Sequence, residues 1–488
     1  MTPITYLGNK GYTILKDSIS TNEQHFIRNE LTIKPFVPKG MFTKANSFPI
    51  YRESARRIYV PRYYGEKLYG FPNSVTIPDG EEISLEFSGK LRENQIDAVN
   101  TYCKIAKLKG SGLLELPCGF GKTVISLNII SRICKKTLII VHKEFLMEQW
   151  KERIQQFLPN AKIGKIQGQT VDIESKDIVI AMLQSLVQKD YPKEVFETFG
   201  LTIIDETHHM AAEVFSRALF KIVTPYMLGL SATMTRKDGL SKVFKMFLGE
   251  IEFKVLRPQS KEVVVQSIQY NVDDDDFNET PMDARGYIQF GKIITKLCEY
   301  YPRKKFILEI IKNSIQDPLS NQIMILSQNK SLLEFLFQQI EIIFPGYSGF
   351  YVGGMKQKDL QISESKKVVL ATYAMAEEAL DIKTLTTLIM ATPRTSVTQA
   401  VGRILRSKHQ RPLVIDIVDS HDVFKRQSSK RQAYYFKSGF TIKSIKHIHY
   451  PNGNWEIIDK EKKSKSEKKK CLIPKPSLST IQNIEMSI

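Results

Sequence analysis

The stretch Leu116–Thr123 reads LPCGFGKT and places two glycines, a lysine and a threonine at the start of a helical pattern. A phosphate-binding loop asks for glycine, four free positions, then Gly-Lys-Ser/Thr. Counting back from Gly121 puts Leu116 where that first glycine belongs, with Gly119 standing instead two residues before Gly121. Gly119 and Gly121 still let backbone amides approach phosphate oxygens. The following helix start adds partial positive charge. In such a loop Lys122 reaches the β- and γ-phosphates, and the Thr123 hydroxyl binds magnesium. Pro117, Cys118 and Phe120 complete the loop, Cys118 as a small space-filling residue.

About 80 positions later, LTIIDETHH (residues 201–209) is an apolar strand ending in two acids. There Asp205 would hold the metal, and Glu206 would orient and deprotonate an attacking water. An acidic pair after a strand is ordinary on its own; paired with the loop, it is the second half of a nucleotide hydrolase. The triplet SAT (Ser231, Ala232, Thr233) ends another strand. In QAVGRILR (residues 399–406), Arg403 and Arg406 stand at i and i+3, on one helix face. Paired arginines neutralise charge building on a γ-phosphate. They lie far along the chain, so the nucleotide is expected between two α/β units, in a cleft that hydrolysis opens and closes.

These residues need elements to position them. From about residue 89, buried strands alternate with helical stretches: GLLELP, TLIIVH, DIVIAML, LTIIDE and YMLGLSAT are the strands, with YMLGLSAT the last before a break. Such alternation implies parallel sheet with crossover helices. Between about 255 and 285 the regularity fails, and LRPQSKEV and NVDDDDFNETPMD read as an interdomain connection. The acidic run Asp273 to Asp276 reads as solvated linker rather than a metal site. A second series follows in QIMILS, KVVLAT, TLIMAT and PLVIDIV. The expected fold class is α/β: two tandem parallel-sheet domains with a small N-terminal β-rich or mixed domain. The expected boundaries are 1–88 for the accessory domain, 89–258 and 259–445 for the two α/β domains, and 446–488 for a basic, partly disordered tail containing KEKKSKSEKKK.

Within residues 51–72, YRESARRIYVPRYYGEKLYGFP interleaves arginine with tyrosine. That pattern suits base stacking and phosphate contact, but for most of these residues a tyrosine-rich core with solvated arginines is the favoured reading. The chain carries 70 Lys+Arg against 52 Asp+Glu, a net charge of +18 over 488 residues. A polyanionic partner is the natural inference. No apolar run approaches a membrane span of about 18 residues, so no membrane partner is expected, and no secretory signal is visible. Five scattered cysteines without CxxC spacing point to a reducing, intracellular compartment and no structural zinc.

Taken together and in order, PCGFGKT, DETH, SAT and QAVGRILR resemble motifs I, II, III and VI of superfamily 2 DExH-type helicases. The resemblance covers roughly residues 89–440 and implies that the two tandem parallel-sheet domains are RecA-like. LRENQIDAV resembles the segment before motif I, VHKEFLMEQWKERI motif Ia, IVIAMLQSL motif Ic, ILSQNKSLLEFL motif IV, and ATYAMAEEALDI motif V. LGLSATMTRKDGL, QWKERI, YVGGMK and RPLVIDIVD look like the XPB/UvsW-like branch, with Arg236-Lys237-Asp238 replacing its Arg-Glu-Asp triplet. The N-terminal sequence before such a core looks like proteins of large DNA viruses.

The resemblance implies an ATP-dependent helicase or translocase using ATP and Mg2+, acting on DNA, with RNA as the alternative, in viral transcription or recombination. The transcription machinery would then be a partner, the chain monomeric, and its place the virion core or the infected cell's cytoplasm or nucleus. It implies that Gln95 reads adenine and that His208, Ser231, Ala232 and Thr233 couple hydrolysis to movement. It further implies that Gln399, Arg403 and Arg406 face the γ-phosphate, and that Asp381 links ATP to nucleic-acid contacts. Those contacts would come mostly from motifs Ia, Ic, IV and V.

Overall fold

The computed structural model describes residues 3–35, 46–117, 119–207, 212–234, 239–255, 262–378, 382–405 and 409–459. The chain divides into two compact units, Met1–Arg257 and Pro258–Ile488.

Unit 1 opens with seven short strands: β1 (Thr5–Gly8), β2 (Gly11–Leu15), β3 (Thr32–Ile33), β4 (Phe48–Pro49), β5 (Arg52–Glu53), β6 (Arg57–Val60) and β7 (Ser74–Val75). Five of them form a mixed sheet in the order β5-β6-β2-β1-β7, and β3 pairs with β4. Eight more follow: β8 (Ser111–Glu115), β9 (Thr137–Val141), β10 (Ile163–Gln167), β11 (Thr170–Asp172), β12 (Ile178–Met182), β13 (Leu201–Ile204), β14 (Tyr226–Ser231) and β15 (Ile251–Lys254). Their order is β11-β10-β12-β9-β13-β14-β8-β15, parallel throughout except for β11, which folds back on β10. Every residue of β9 and β13 is buried, as expected for a sheet covered on both faces. The last strand of unit 1 is thus β15 and not YMLGLSAT. IEFK is short and polar, and it earns its place by pairing with β8 at the sheet edge.

Side-chain alternation divides the core. Leu138 and Ile140 of β9 face a cluster that includes Tyr12, Ile14, Ile58, Val60 and Tyr64 from the N-terminal strands. Ile139 and Val141 face the opposite cluster, with Val99, Leu127 and Trp150 from the crossover helices. The N-terminal strands therefore share one hydrophobic core with the parallel sheet.

The tyrosine–arginine stretch builds this junction. Tyr59 and Tyr64 are buried. Arg62 donates to the Lys109 carbonyl at 2.9 Å, at the end of the Glu93–Lys109 helix, and to the Pro225 carbonyl. Arg52 lies over the Phe220 ring and donates to the Arg217 carbonyl. Gly65, inside the Arg62–Tyr69 helix, lies so close to Tyr12 that a Cβ would come within 2.3 Å of the ring. Helix propensity alone favours alanine over glycine by about 0.5–1 kcal/mol. Here the crowding reverses the sign. Gly65→Ala is expected to destabilise unit 1 by about 1–3 kcal/mol, measured as a fall in urea midpoint without a change in slope.

Unit 2 contains β16 (Val264–Tyr270), β17 (Ile323–Ser327), β18 (Ser348–Tyr351), β19 (Val368–Thr372), β20 (Thr387–Met390), β21 (Leu413–Asp419), β22 (Thr441–Lys446) and β23 (Glu456–Ile457). The order is β18-β19-β17-β20-β21-β16-β22-β23, parallel except for β23. The sequence from 255 to 285 is therefore not simply a connection. Val264–Tyr270 is an interior strand between β21 and β22, with Val265, Ile268 and Tyr270 buried. Nor is the acidic run wholly a solvated linker. Asp274 caps the Asp275–Asn278 helix by accepting from the Phe277 amide, and it accepts from Tyr300 Oη at 2.8 Å. Phe277 is buried beneath it, while Asp275 and Asp276 carry the solvated charge.

Cys103, Cys134 and Cys298 are free thiols. Among the described residues no helix is long and apolar enough to cross a membrane. The basic tail from residue 460 lies outside the described residues.

Candidate active site

In unit 1 the chain order reverses across the sheet: β8 lies beyond β14 and β13 from its successor β9. Open parallel sheets bind ligands at the carboxyl ends of strands near such a reversal. The strands ending there are β8, β14 and β13, side by side, and they lead into LPCGFGKT, SAT and DET.

Leu116 is fully buried and donates its amide to the Ser231 carbonyl at 2.9 Å. It continues the ladder from β8 to β14, which explains a leucine where the general loop pattern has glycine. The turn then forms through the Phe120 amide and the Pro117 carbonyl, at 3.1 Å. Gly119 and Gly121 take φ of +80° and +94°, in the left-handed region. Gly121 caps the Lys122–Ile133 helix, whose first amides form an anion cradle. Cys118 lies outside the described residues.

Gln95 is buried against this loop. Its Nε2 donates to the Phe120 carbonyl at 2.7 Å, and its Oε1 accepts from the Arg92 amide at 2.9 Å. A Cβ on Gly121 would meet that Nε2 at 2.4 Å. The Arg92 guanidinium also donates to the Phe120 carbonyl. The Gln95 amide group thus props the phosphate loop from behind.

Asp205 and Glu206 follow β13 directly. Lys122 Nζ forms an ion pair with Glu206 Oε1, bringing the loop lysine and the predicted base into contact. Glu206 holds φ of +49°, a conformation that non-glycine residues rarely adopt and that concentrates at functional sites. Asp205 is buried and accepts from Trp150 Nε1 at 2.9 Å. Thr207 Oγ1 donates to the Leu230 carbonyl of β14. Ser231 Oγ donates to the Thr233 carbonyl at 2.7 Å and accepts from the Thr233 amide, closing a tight turn through Ala232. His208 lies outside the described residues. Sequence reasoning missed Trp150; its only signal was an aromatic at core spacing on a helix.

Burial, and then the neighbouring Glu206 charge, push the Asp205 carboxyl up to about 6, with Lys122 and the Trp150 hydrogen bond acting in the opposite direction. A carboxyl that ionises later in the folded chain stabilises the fold fully only below the ordinary aspartate range. That contribution is lost as pH rises through about 6. At about pH 7.5 the buried charge therefore opposes folding. Asp205→Asn, without magnesium or nucleotide, is expected to stabilise the protein there by on the order of 1–3 kcal/mol. The gain should shrink as pH falls from 6 toward 4, read by thermal melts at each pH.

In unit 2, Arg403 lies on the Thr398–Ile404 helix, buried, with Nε donating to the Ala376 carbonyl at 2.8 Å in the Tyr373–Glu378 helix. Gln399 is half-buried on the same helix. Arg406 and Asp381 lie outside the described residues. The stretch before this helix, Ala391–Arg394, is pinned at each carbonyl. Ala391 accepts from Arg303 Nη2 at 3.0 Å, Thr392 from Tyr373 Oη at 2.6 Å, Pro393 from Gln328 Nε2, and Arg394 from Arg431 Nη1 at 2.6 Å. Arg303 and Arg431 are themselves buried in bidentate pairs with Asp419 and Asp416.

Comparison with known proteins finds relatives of the whole chain. The family described as "Type III restriction enzyme, res subunit" matches residues 88–236. The Acanthamoeba polyphaga mimivirus protein named "Putative ATP-dependent RNA helicase L396" is 34% identical over 451 residues, covering 88% of this chain and 85% of that protein. "Putative helicase 161L" of Invertebrate iridescent virus 6 is 26% identical over 380 residues, covering 75% and 85%. Among solved structures, a fragment of "a putative HsdR subunit of a type I restriction enzyme from Vibrio vulnificus YJ016" matches the fold with a TM-score of 0.52 at 15% identity, over 76% of this chain and 71% of that one.

Proposed function

This chain belongs to the superfamily 2 helicases of large DNA viruses, and from that premise we propose that Lys122, Thr123, Asp205 and Glu206 are the residues with which it hydrolyses ATP. It is an ATP-dependent nucleic-acid helicase. The observation that carries the residue assignment is the ion pair of Lys122 with Glu206, beside the buried Asp205.

That pair orders the reaction. A γ-phosphate entering the loop competes with Glu206 for the lysine's charge. Binding of ATP releases the carboxylate, which accepts a proton from the attacking water as that water's oxygen bonds to the γ-phosphorus and the bond to the leaving ADP breaks. Thr123 and Asp205 offer hard oxygen donors that suit Mg2+, and the buried Asp205 charge gains a counter-ion from it. Held by these two residues, magnesium would supply positive charge to offset the charge that develops on the phosphates. Pro117, Gly119, Phe120 and Gly121 form the phosphate loop, with Gln95 behind it and toward the adenine. Gln399, Arg403 and Arg406 neutralise the γ-phosphate. His208 and the Ser231–Thr233 turn transmit its loss, and Asp381 links it to the nucleic acid.

The substrate we propose is DNA, which the XPB/UvsW-like motif sequences favour and the net charge of +18 suits. A second reading, RNA, is favoured by the words "ATP-dependent RNA helicase" in the names of the mimivirus protein and its African swine fever virus counterparts. Steady-state ATP hydrolysis against duplex DNA, single-stranded DNA and RNA at equal nucleotide concentration decides between them. DNA is expected to stimulate turnover; stimulation by RNA alone would overturn the DNA assignment.

A further inference from the structure

Trp150 lies on the Glu144–Phe157 helix and is 2% exposed. A buried indole N–H needs a partner, and this one donates to Asp205 Oδ2 at 2.9 Å. Phenylalanine would keep an aromatic ring there without donating. The choice of donor is informative when three buried aspartates are compared. Asp416 and Asp419 are each closed by a bidentate arginine, Arg431 and Arg303, at 2.6–2.9 Å. Asp205, also buried, is hydrogen-bonded instead by an uncharged side chain. An arginine would have fixed the carboxylate and cancelled its charge. The indole fixes it without adding a counter-charge of its own, the Lys122 charge and the Glu206 amide acting on it besides.

We propose that Trp150 is a positioning residue for the metal: its indole holds Oδ2 of Asp205 and fixes the carboxylate without neutralising it, so that it would be oriented to receive magnesium. The proposal rests on Asp205 being a magnesium ligand, as inferred above. It adds a residue outside the acidic motif, from the helix after β9, to the metal's affinity. Groups that orient a metal ligand from behind alter metal affinity by about 10- to 100-fold when removed.

The test uses the full chain. In Trp150→Phe the Mg2+ concentration giving half-maximal ATP hydrolysis is expected to rise about 10- to 100-fold, with turnover at saturating Mg2+ close to that of the parent. Ile154→Val, buried on the same helix, trims the packing without touching Asp205 and is expected to leave the Mg2+ dependence unchanged. A second readout needs no turnover and no change at Trp150. The chain has two tryptophans, Trp150 and Trp455, so Trp455→Phe leaves Trp150 as the sole indole. Its emission, with a non-hydrolysable ATP analogue present, is expected to titrate with Mg2+ and to lose that response when Asp205→Asn is added. An unaltered Mg2+ dependence in Trp150→Phe, or an indole emission indifferent to Mg2+, overturns the proposal while the Asp205 assignment stands. Parental hydrolysis by Asp205→Asn instead sinks the assignment itself.

Discussion

Lys122→Ala is expected to lower nucleic-acid-stimulated ATP turnover by roughly a thousandfold or more. Two losses combine. The γ-phosphate loses a charge fixed at the place where negative charge develops, a contribution of about 10²–10³ in comparable sites. Glu206 also loses the partner that holds it at the loop. Glu206→Gln removes the proton acceptor, at about 10²–10⁴, and weakens the competing ion pair with Lys122 while keeping the side-chain volume. The two variants separate by binding. A fluorescent ATP analogue should bind Glu206→Gln at least as tightly as the parent, and Lys122→Ala markedly less well. Because both residues act in one step, the double variant should be little worse than the poorer single one. Parental turnover in either single variant would falsify the site.

The largest effect on stability is expected in unit 2, from Arg303→Met. The guanidinium is fully buried, with Nε 2.6 Å from Asp419 Oδ1 and Nη2 2.9 Å from Oδ2. Removing it strands a buried carboxylate without its counter-charge, and breaking such a pair costs about 3–5 kcal/mol. For a unit of this size each kcal/mol moves the melting temperature by about 2–4 °C, so a fall of about 10 °C is expected by circular dichroism. The loss comes from the orphaned charge more than from the missing attraction. Arg303→Met/Asp419→Leu, which removes both charges, is therefore expected to recover most of it. A single variant melting within a degree or two of the parent would show that water reaches Asp419.

The sequence made the parallel strands readable where burial on both faces demanded unbroken apolar runs. TLIIV and LTII are such runs, and both are strands with every residue buried. It was silent where neighbours supply what the strand lacks. VVQSIQY carries polar residues and precedes an acidic run, yet it lies inside the unit 2 sheet because β21 and β22 flank it. The motifs proposed to carry catalysis were legible because phosphate and metal chemistry restricts residue type and order. Their supports were not. Nothing local pairs Trp150 with Asp205 across 55 positions, and nothing in the string PRKK says which cation is buried. Helical spacing puts Arg303 in line with Phe306, Ile307 and Ile310, but the general preference of arginine for solvent hides it.

The stretch Ala391–Arg394 leads from β20 toward the helix that bears Arg403, and side chains from four other places in unit 2 hold its four carbonyls. Over those four peptides the joint has little backlash. A push that reaches Arg394 passes into the sheet without being absorbed by rotation about their bonds. For a machine that converts a chemical event at one end into displacement at the other, this removes a place where the stroke would dissipate as heat. Softening the joint would then uncouple the engine from its load: ATP would still be consumed, and less strand would be moved for each molecule.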